Sequence, residues 1–159
     1  MADAFERLFL TEYARVVTIA RKVLQDANAA EDVAQEVFLS FHRKHSALAE
    51  FGPVWLHRAA LHSAINEVRK RKRRARYELA GFDPQPQAPD AEARVLQEDE
   101  RRQVREALSK LPRRSAEVLA LRHSGLTYEQ TAAALGVKTD QVGTMLRRAE
   151  ARLRKEVVE

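Results

Sequence analysis

The chain contains no cysteine. That excludes disulfide frameworks, thiolate metal sites and thiol nucleophiles, and it is compatible with a reducing compartment. Glycine is scarce, five residues in 159; with a strong 3.6-residue apolar period, this points to an all-α protein. No apolar run approaches the roughly eighteen residues a membrane helix needs, and the Met1-Ala2-Asp3-Ala4-Phe5-Glu6 start lacks the pattern of a signal peptide. The expectation is a soluble, cytoplasmic protein with no membrane insertion. The carboxylate–histidine pattern H-E-x-x-H is also missing. His42 and His45 have an i, i+3 spacing, but with His57 and His62 they form no such motif, so a metal-dependent hydrolase is the weakest reading. No catalytic residue, metal or cofactor is expected.

What the chain has in excess is positive charge in one place. The net charge is +5, yet residues 1–50 are slightly acidic, with six Lys/Arg against eight Asp/Glu. Seven of the eight residues from Arg69 to Arg76 are cationic. Such charges repel unless a polyanion neutralises them, and nucleic acid gains affinity by releasing its condensed counterions to them.

Apolar stripes divide the remainder. Phe5, Leu8, Phe9, Tyr13, Val16, Ala20, Val23 and Leu24 mark one helix. Ala30, Val33, Ala34, Val37, Phe38 and Phe41 mark a second, capped by Asp26 or Asn28. Gly52-Pro53 interrupts the chain, and Pro53 suits the first turn of a third helix. Val54, Leu61, Ala64, Ile65 and Val68 form its inner face, and the helix runs into the basic segment. Residues 77–93 carry three prolines and little apolar content, the composition of a flexible, partly extended linker. Helical pattern resumes near Ala91 and runs to about Lys110; Pro112 opens the next helix, and Gly125 suits a left-handed cap at its end. The expected architecture is two small helical domains, 1–76 and 94–159, joined by a tether at 77–93.

Thr127-Tyr128-Glu129-Gln130 has the form of a capping box. Gly136 sits at a sharp turn, with small Ala132 four residues before it and apolar Val142 six residues after it. This spacing describes a helix-turn-helix; the alternative is a helical hairpin that touches no DNA. The second helix would offer Lys138, Thr139, Asp140, Gln141 and Thr144 to base edges, Gln141 to an adenine and Asp140 to a cytosine amino group. Arg147, Arg148, Arg152 and Arg154 would hold phosphates.

Taken in order, these segments resemble the bacterial RNA polymerase sigma factors of the extracytoplasmic function (ECF) group. The residues that carry the resemblance are Ala30-Glu31-Asp32-Val33-Ala34-Gln35-Glu36-Val37-Phe38, then Trp55-Leu56 with the helix leading to Arg69-Lys70-Arg71-Lys72-Arg73-Arg74. In the C-terminal part they are Leu108-Ser109-Lys110-Leu111-Pro112, Gly125-Leu126-Thr127-Tyr128-Glu129-Gln130-Thr131-Ala132 and Leu135-Gly136-Val137. The similarity spans roughly residues 5–155. It implies that Asp32, Gln35 and Glu36 contact the clamp of the polymerase's largest subunit. It implies that Arg58, His62, Asn66, Arg69, Lys70, Arg71, Lys72 and Arg73 serve the promoter-melting element, with loop His45–Gly52 as the pocket for a flipped base. It implies that Thr127, Thr139, Gln141, Thr144, Arg147 and Arg148 serve the promoter-reading element. Trp55 either stacks on a base or packs the helix start onto the core.

The partners so implied are core RNA polymerase, promoter DNA and an anti-sigma factor that holds the protein inactive. Two pairs of residues depart from the family: His62 and Asn66 stand where asparagine and aspartate are usual, and Gly143 and Met145 where lysine and arginine are common. The base preference is therefore not carried over. The competing reading is a stand-alone helix-turn-helix regulator that never enters polymerase.

Overall fold

A computed structural model of the chain describes residues 3–78 and 91–158, with residues 91–97 and 158 as helical backbone alone. Among the described residues there are seven helices and no strand. They are α1 (Ala4–Leu24), α2 (Ala27–Lys44), α3 (Gly52–Glu78), α4 (Ala91–Lys110), α5 (Arg113–His123), α6 (Tyr128–Leu135) and α7 (Thr139–Val158). The central part of the sequence-predicted linker, 79–90, lies outside the described residues. Its two ends differ from expectation: residues 77–78 complete α3, and 91–93 belong to α4.

Local chemistry sets the helix ends. The Asp3 side chain accepts from the Glu6 N–H and starts α1, and the Asp26 carboxylate accepts from the N–H groups of Asn28 and Ala29 and starts α2. These acceptors satisfy donors that a helix leaves unpaired in its first turn. Between α5 and α6, Gly125 takes the left-handed conformation (φ 89°), and the Leu126 N–H returns to the Leu121 carbonyl. Between α6 and α7, Gly136 does the same (φ 71°), and the Val137 N–H returns to Ala132. Glycine adopts this backbone without the steric cost other residues meet.

The N-terminal lobe packs α1 against α2 and α3. Ile19, Leu24, Phe41, Leu56 and Leu61 are fully enclosed there, each stabilising the fold by about 1.5–3 kcal/mol relative to an exposed side chain. Phe9, Tyr13 and Phe38 add an aromatic contact set, with Phe9 and Phe38 at 5.0 Å between ring centres. The C-terminal lobe packs α5, α6 and α7 around Val118, Leu121, Leu126 and Val142. The two lobes touch: α3 lies against α6 and α5, and α1 against α5 and α4.

Candidate nucleic-acid interface

On α2, burial of Ala30, Val33, Ala34, Val37 and Phe38 orients the helix. Asp32, Gln35 and Glu36 are all exposed on the other side. Asp32 and Glu36 are one turn apart, so their charges lie on one face. Leu39, about half exposed, is the next side chain along this helix's outer surface. An acidic patch with an apolar neighbour suits a basic protein groove, where charge sets register and encounter rate.

The basic segment is helical throughout, because α3 continues to Glu78. Arg69, Lys70, Lys72, Arg73, Arg74 and Arg76 are exposed. Arg71 differs: its guanidinium lies 3.5 Å from Asp26 and 3.7 Å from Glu67. These two carboxylates relieve part of the crowding between cations. Asn66 is exposed on the same helix.

At the start of α3 an aromatic cluster surrounds the 45–52 loop. Trp55 packs on Phe41, with ring centres 5.3 Å apart, and on His45 at 5.4 Å. Of the two roles open to Trp55, the geometry supplies the packing one. Phe51 meets His45 edge to face at 5.0 Å and leaves about half its surface to solvent.

The helix-turn-helix has its expected local chemistry. Thr127 Oγ1 accepts from the Gln130 N–H at 3.0 Å, and Gln130 Oε1 accepts from the Thr127 N–H at 2.9 Å. Thr127 is thus committed to the cap of α6. Ala132 and Val142 are buried where α6 crosses α7. Thr139, Asp140, Gln141, Thr144, Arg147 and Arg148 are exposed on α7, as is Lys138 just before it. Gln141 Oε1 accepts from the Lys138 N–H at 3.2 Å, so pairing with a base would require it to release this local bond. Gly143 and Met145 are half-buried, and Met145 also borders a surface groove with Gln141, Thr144 and Arg148. A Cβ on Gly143 would stand 3.8 Å from the Tyr128 ring, and Met145 packs on the core. Arg122 lies 4.7 Å over the other partner of this contact, the Tyr128 ring, and donates to the Leu126 carbonyl.

The structure parts the residues assigned to the melting element. Arg58 does not point away from the molecule: its Nε donates to the Ala134 carbonyl at 2.9 Å and its Nη2 to the Ala133 carbonyl at 3.0 Å. Arg114, from within the C-terminal lobe, donates to the Leu135 carbonyl at 2.7 Å. Two arginines thereby cap the C-terminal end of α6, where the last carbonyls lack helical partners and carry partial negative charge. His62 faces Glu117 at 4.0 Å, and Glu117 also pairs with Arg113 at 3.3 Å. Burial lowers the His62 pKa; Glu117 opposes this shift, while Arg113, Arg58 and Arg114 add to it. Arg15 of α1 completes the junction, donating to Gln130 Oε1 at 3.2 Å.

Two further side-chain contacts have no local signal in the sequence. His57 is buried in α3 with its Nε2 at 2.8 Å from Glu12 of α1. A carboxylate only accepts, so the ring donates here and is fixed between the two helices. Arg105 of α4 donates to the Leu24 carbonyl at 3.4 Å, tying α4 to the end of α1. Among the described residues no group of three His, Cys, Asp or Glu is arranged to hold a metal ion, and no helix is long and apolar enough to cross a membrane.

These features define a two-lobed helical protein with an acidic patch, a cationic helix and a helix-turn-helix on one chain. The family model for Sigma-70 region 2 matches residues 8–74, and that for Sigma-70, region 4 matches residues 101–153. The ECF RNA polymerase sigma factor SigM of Mycobacterium tuberculosis is 30% identical over 94% of this chain and 75% of its own length. SigK of Mycolicibacterium vanbaalenii, also an ECF RNA polymerase sigma factor, is 31% identical over 97% of this chain and 82% of its own. The probable RNA polymerase sigma factor RfaY of Xanthomonas campestris is 30% identical over 99% of this chain, which spans only 41% of that longer relative. The chain belongs to the ECF group of RNA polymerase sigma factors.

Two solved structures share the fold. CnrH, in complex with the cytosolic domain of CnrY, superimposes with a TM-score of 0.61 at 23% identity, over 95% of this chain and 85% of the other. The sigma factor RpoE of Bartonella quintana, in complex with the anti-sigma factor NepR, gives 0.58 at 20% identity, over 96% of both chains.

Proposed function

We propose that this chain binds core RNA polymerase, directs it to specific promoters and promotes strand opening, without catalysis of its own and in the cytoplasm. The observation that carries the reading is the co-occurrence, in order, of the exposed Asp32–Glu36 patch, the cationic α3 and the helix-turn-helix. Asp32, Gln35 and Glu36 dock on the clamp of the polymerase's largest subunit. Lys70, Lys72 and Arg73, with Arg69 and Asn66, follow the upstream promoter backbone. Thr139, Gln141 and Thr144 meet base edges, and Arg147 and Arg148 hold flanking phosphates.

Opening a duplex costs unpairing energy, which is offset by stacking displaced bases on aromatic surfaces and holding phosphates on cations. Phe51 and His45 supply such a surface beside α3. Arg58 and His62 join this element only when the lobes part, because each now faces the C-terminal lobe. Regulation by an anti-sigma protein is part of the proposal, supported by the complexes in which CnrH and RpoE were solved. A stand-alone regulator is not favoured, since the Sigma-70 region 2 match covers most of the N-terminal lobe.

The test is transcription in vitro with core polymerase and a promoter library. The wild-type chain directs initiation from a definable two-part site. The double variant Asp32→Lys, Glu36→Lys abolishes it while leaving helical content unchanged. Full activity in that variant removes the clamp assignment.

A further inference from the structure

Between the lobes lies a cavity of about 210 Å³. We infer that it is a binding site for a small anionic amphiphile, a monocarboxylate with a compact hydrocarbon body, and that its occupant clamps the two lobes together.

The walls and the rim have different chemistry. The walls are mainly apolar: Val23, Ile65 and Val68 from the N-terminal lobe face Leu108, Leu111 and Ala116 from the C-terminal lobe, with the polar Ser109 beside them. An apolar cavity of about 150 Å³ accepts benzene, so this one has room for a somewhat larger body. The rim is cationic: Arg69 and Lys72 from α3, Arg105 from α4 and Arg113 from α5. Among the described residues no carboxylate lines the cavity.

Arg105 and Arg113 have acidic neighbours outside it, Glu98 at 4.0 Å and Glu117 at 3.3 Å. Arg69 and Lys72 have no ion-pair partner among the described residues. Like charges crowded at the mouth of an apolar pocket raise the local concentration of anions. A duplex meets only half of this requirement, because its phosphates have no apolar group to place in the cavity. A carboxylate head at Arg69 and Lys72, with its hydrocarbon body between Ile65 and Leu108, meets both.

Because both lobes supply wall, an occupant binds the closed arrangement and not the separated lobes. Mass action then shifts the chain toward closure. In the closed arrangement Arg58 and His62 face the C-terminal lobe, and the bound anion also offsets one of the two positive charges of Arg69 and Lys72. This consequence rests on the proposed promoter role of those residues; the binding site itself does not.

The experiment uses the full chain and three probes: octanoate, octan-1-ol and acetate. Octanoate at about ten times its dissociation constant is expected to raise the midpoint of thermal unfolding by about 4 °C. In calorimetry octan-1-ol binds at least roughly tenfold more weakly, and acetate gives no saturable binding near its millimolar range. Lys72→Glu lowers octanoate affinity at least about tenfold through charge reversal, and Ala116→Leu lowers it by filling the cavity; circular dichroism checks the fold of both.

Equal binding of octan-1-ol would show that the cations are unused. Equal binding of acetate would show only anion adsorption on a basic surface. Either result, or no octanoate binding at all, overturns the inference. Saturable octanoate binding to a chain that directs no transcription would instead uphold the site and remove the sigma-factor reading from its regulation.

Discussion

The guanidinium Nε of Arg58 donates to the carbonyl oxygen of Ala134 at 2.9 Å, joining α3 to the end of α6 across 76 positions of sequence. With the second bond to Ala133, this forked contact is a principal polar tie between the lobes. Arg58→Ala removes both bonds and leaves two helix-terminal carbonyls to water. The expected loss is on the order of 1 kcal/mol, since the site is partly solvated, or about a fivefold fall in the ratio of closed to open chains. Small-angle scattering should show a larger radius of gyration than wild type. Arg58→Lys should not restore compactness, because an ammonium lacks the planar fork that reaches both carbonyls. An unchanged radius in Arg58→Ala would mean that the apolar contacts alone hold the lobes.

His62 makes that closure sensitive to pH. Its pKa in the closed chain lies below the ordinary value because burial disfavours the imidazolium. Glu117 of α5 pulls the other way, while Arg113 and Arg114 of α5 and Arg58 of its own helix reinforce the lowering. For a group whose folded pKa is depressed, the contribution to stability is present above the unfolded pKa and lost as pH falls through the folded one. The closed arrangement should therefore be intact at pH 7.5 and loosen at mildly acid pH, below the usual histidine range. Histidine NMR titration should place His62 below the ordinary histidine value, and His62→Gln should flatten the scattering change between pH 7.5 and 5. Loosening that persists unchanged in His62→Gln would assign it to another group.

The cationic helix yields a quantitative expectation for DNA. Lys70, Lys72 and Arg73 are exposed, whereas Arg71 is held by Asp26 and Glu67. Each phosphate contact contributes about 0.9 to the log–log dependence of affinity on salt. Replacing Lys70, Lys72 and Arg73 together by alanine should reduce that slope by about 2.7 if all three meet phosphates. Arg71→Ala alone should change it by less than about 0.9, because the guanidinium must leave two carboxylates before it meets DNA. Fluorescence anisotropy of promoter DNA with the polymerase holoenzyme, at several salt concentrations, measures both slopes.

Thr127 serves α6 before it serves DNA. Its hydroxyl accepts from Gln130 in the reciprocal cap, and loss of such a cap costs about 1 kcal/mol. Thr127→Ala should lower the urea midpoint by a corresponding amount, and Thr127→Ser, which keeps the acceptor, should recover most of it. If both variants unfolded with wild type while promoter affinity alone dropped, the hydroxyl would be a DNA ligand and not a cap.

What the sequence discloses and what it hides follow from the range of each interaction. Asp26, Thr127 and Gly136 act within four residues, so spacing alone places the caps and the helix-turn-helix. The apolar stripe of α2 fixes Asp32, Gln35 and Glu36 on the outside by the same periodicity. Arg58 could be placed on a polar side of α3, but its partners are backbone carbonyls of a distant helix, which carry no residue identity to read. Arg15 with Gln130 and Glu12 with His57 are likewise pairs set by packing between elements. Burial of the apolar side chains brings them together, and no local period announces them.

Gly143 tests whether the departures in α7 concern DNA or packing. It sits within a helix, where glycine costs about 1 kcal/mol relative to alanine, and its backbone needs no left-handed conformation. The space beside it is bounded by Tyr128 at 3.8 Å from an added Cβ, which is ordinary contact distance. Gly143→Ala should therefore stabilise the C-terminal lobe by about 0.5–1 kcal/mol, raising its unfolding midpoint. Promoter affinity should stay within twofold or so of wild type, since the added methyl faces α6 and not the groove. Gly143→Arg is different in kind: the long side chain would have to displace the Tyr128 ring that Arg122 covers, so it should destabilise the lobe. A gain in promoter binding from Gly143→Arg without loss of stability would place position 143 on the DNA-facing side after all.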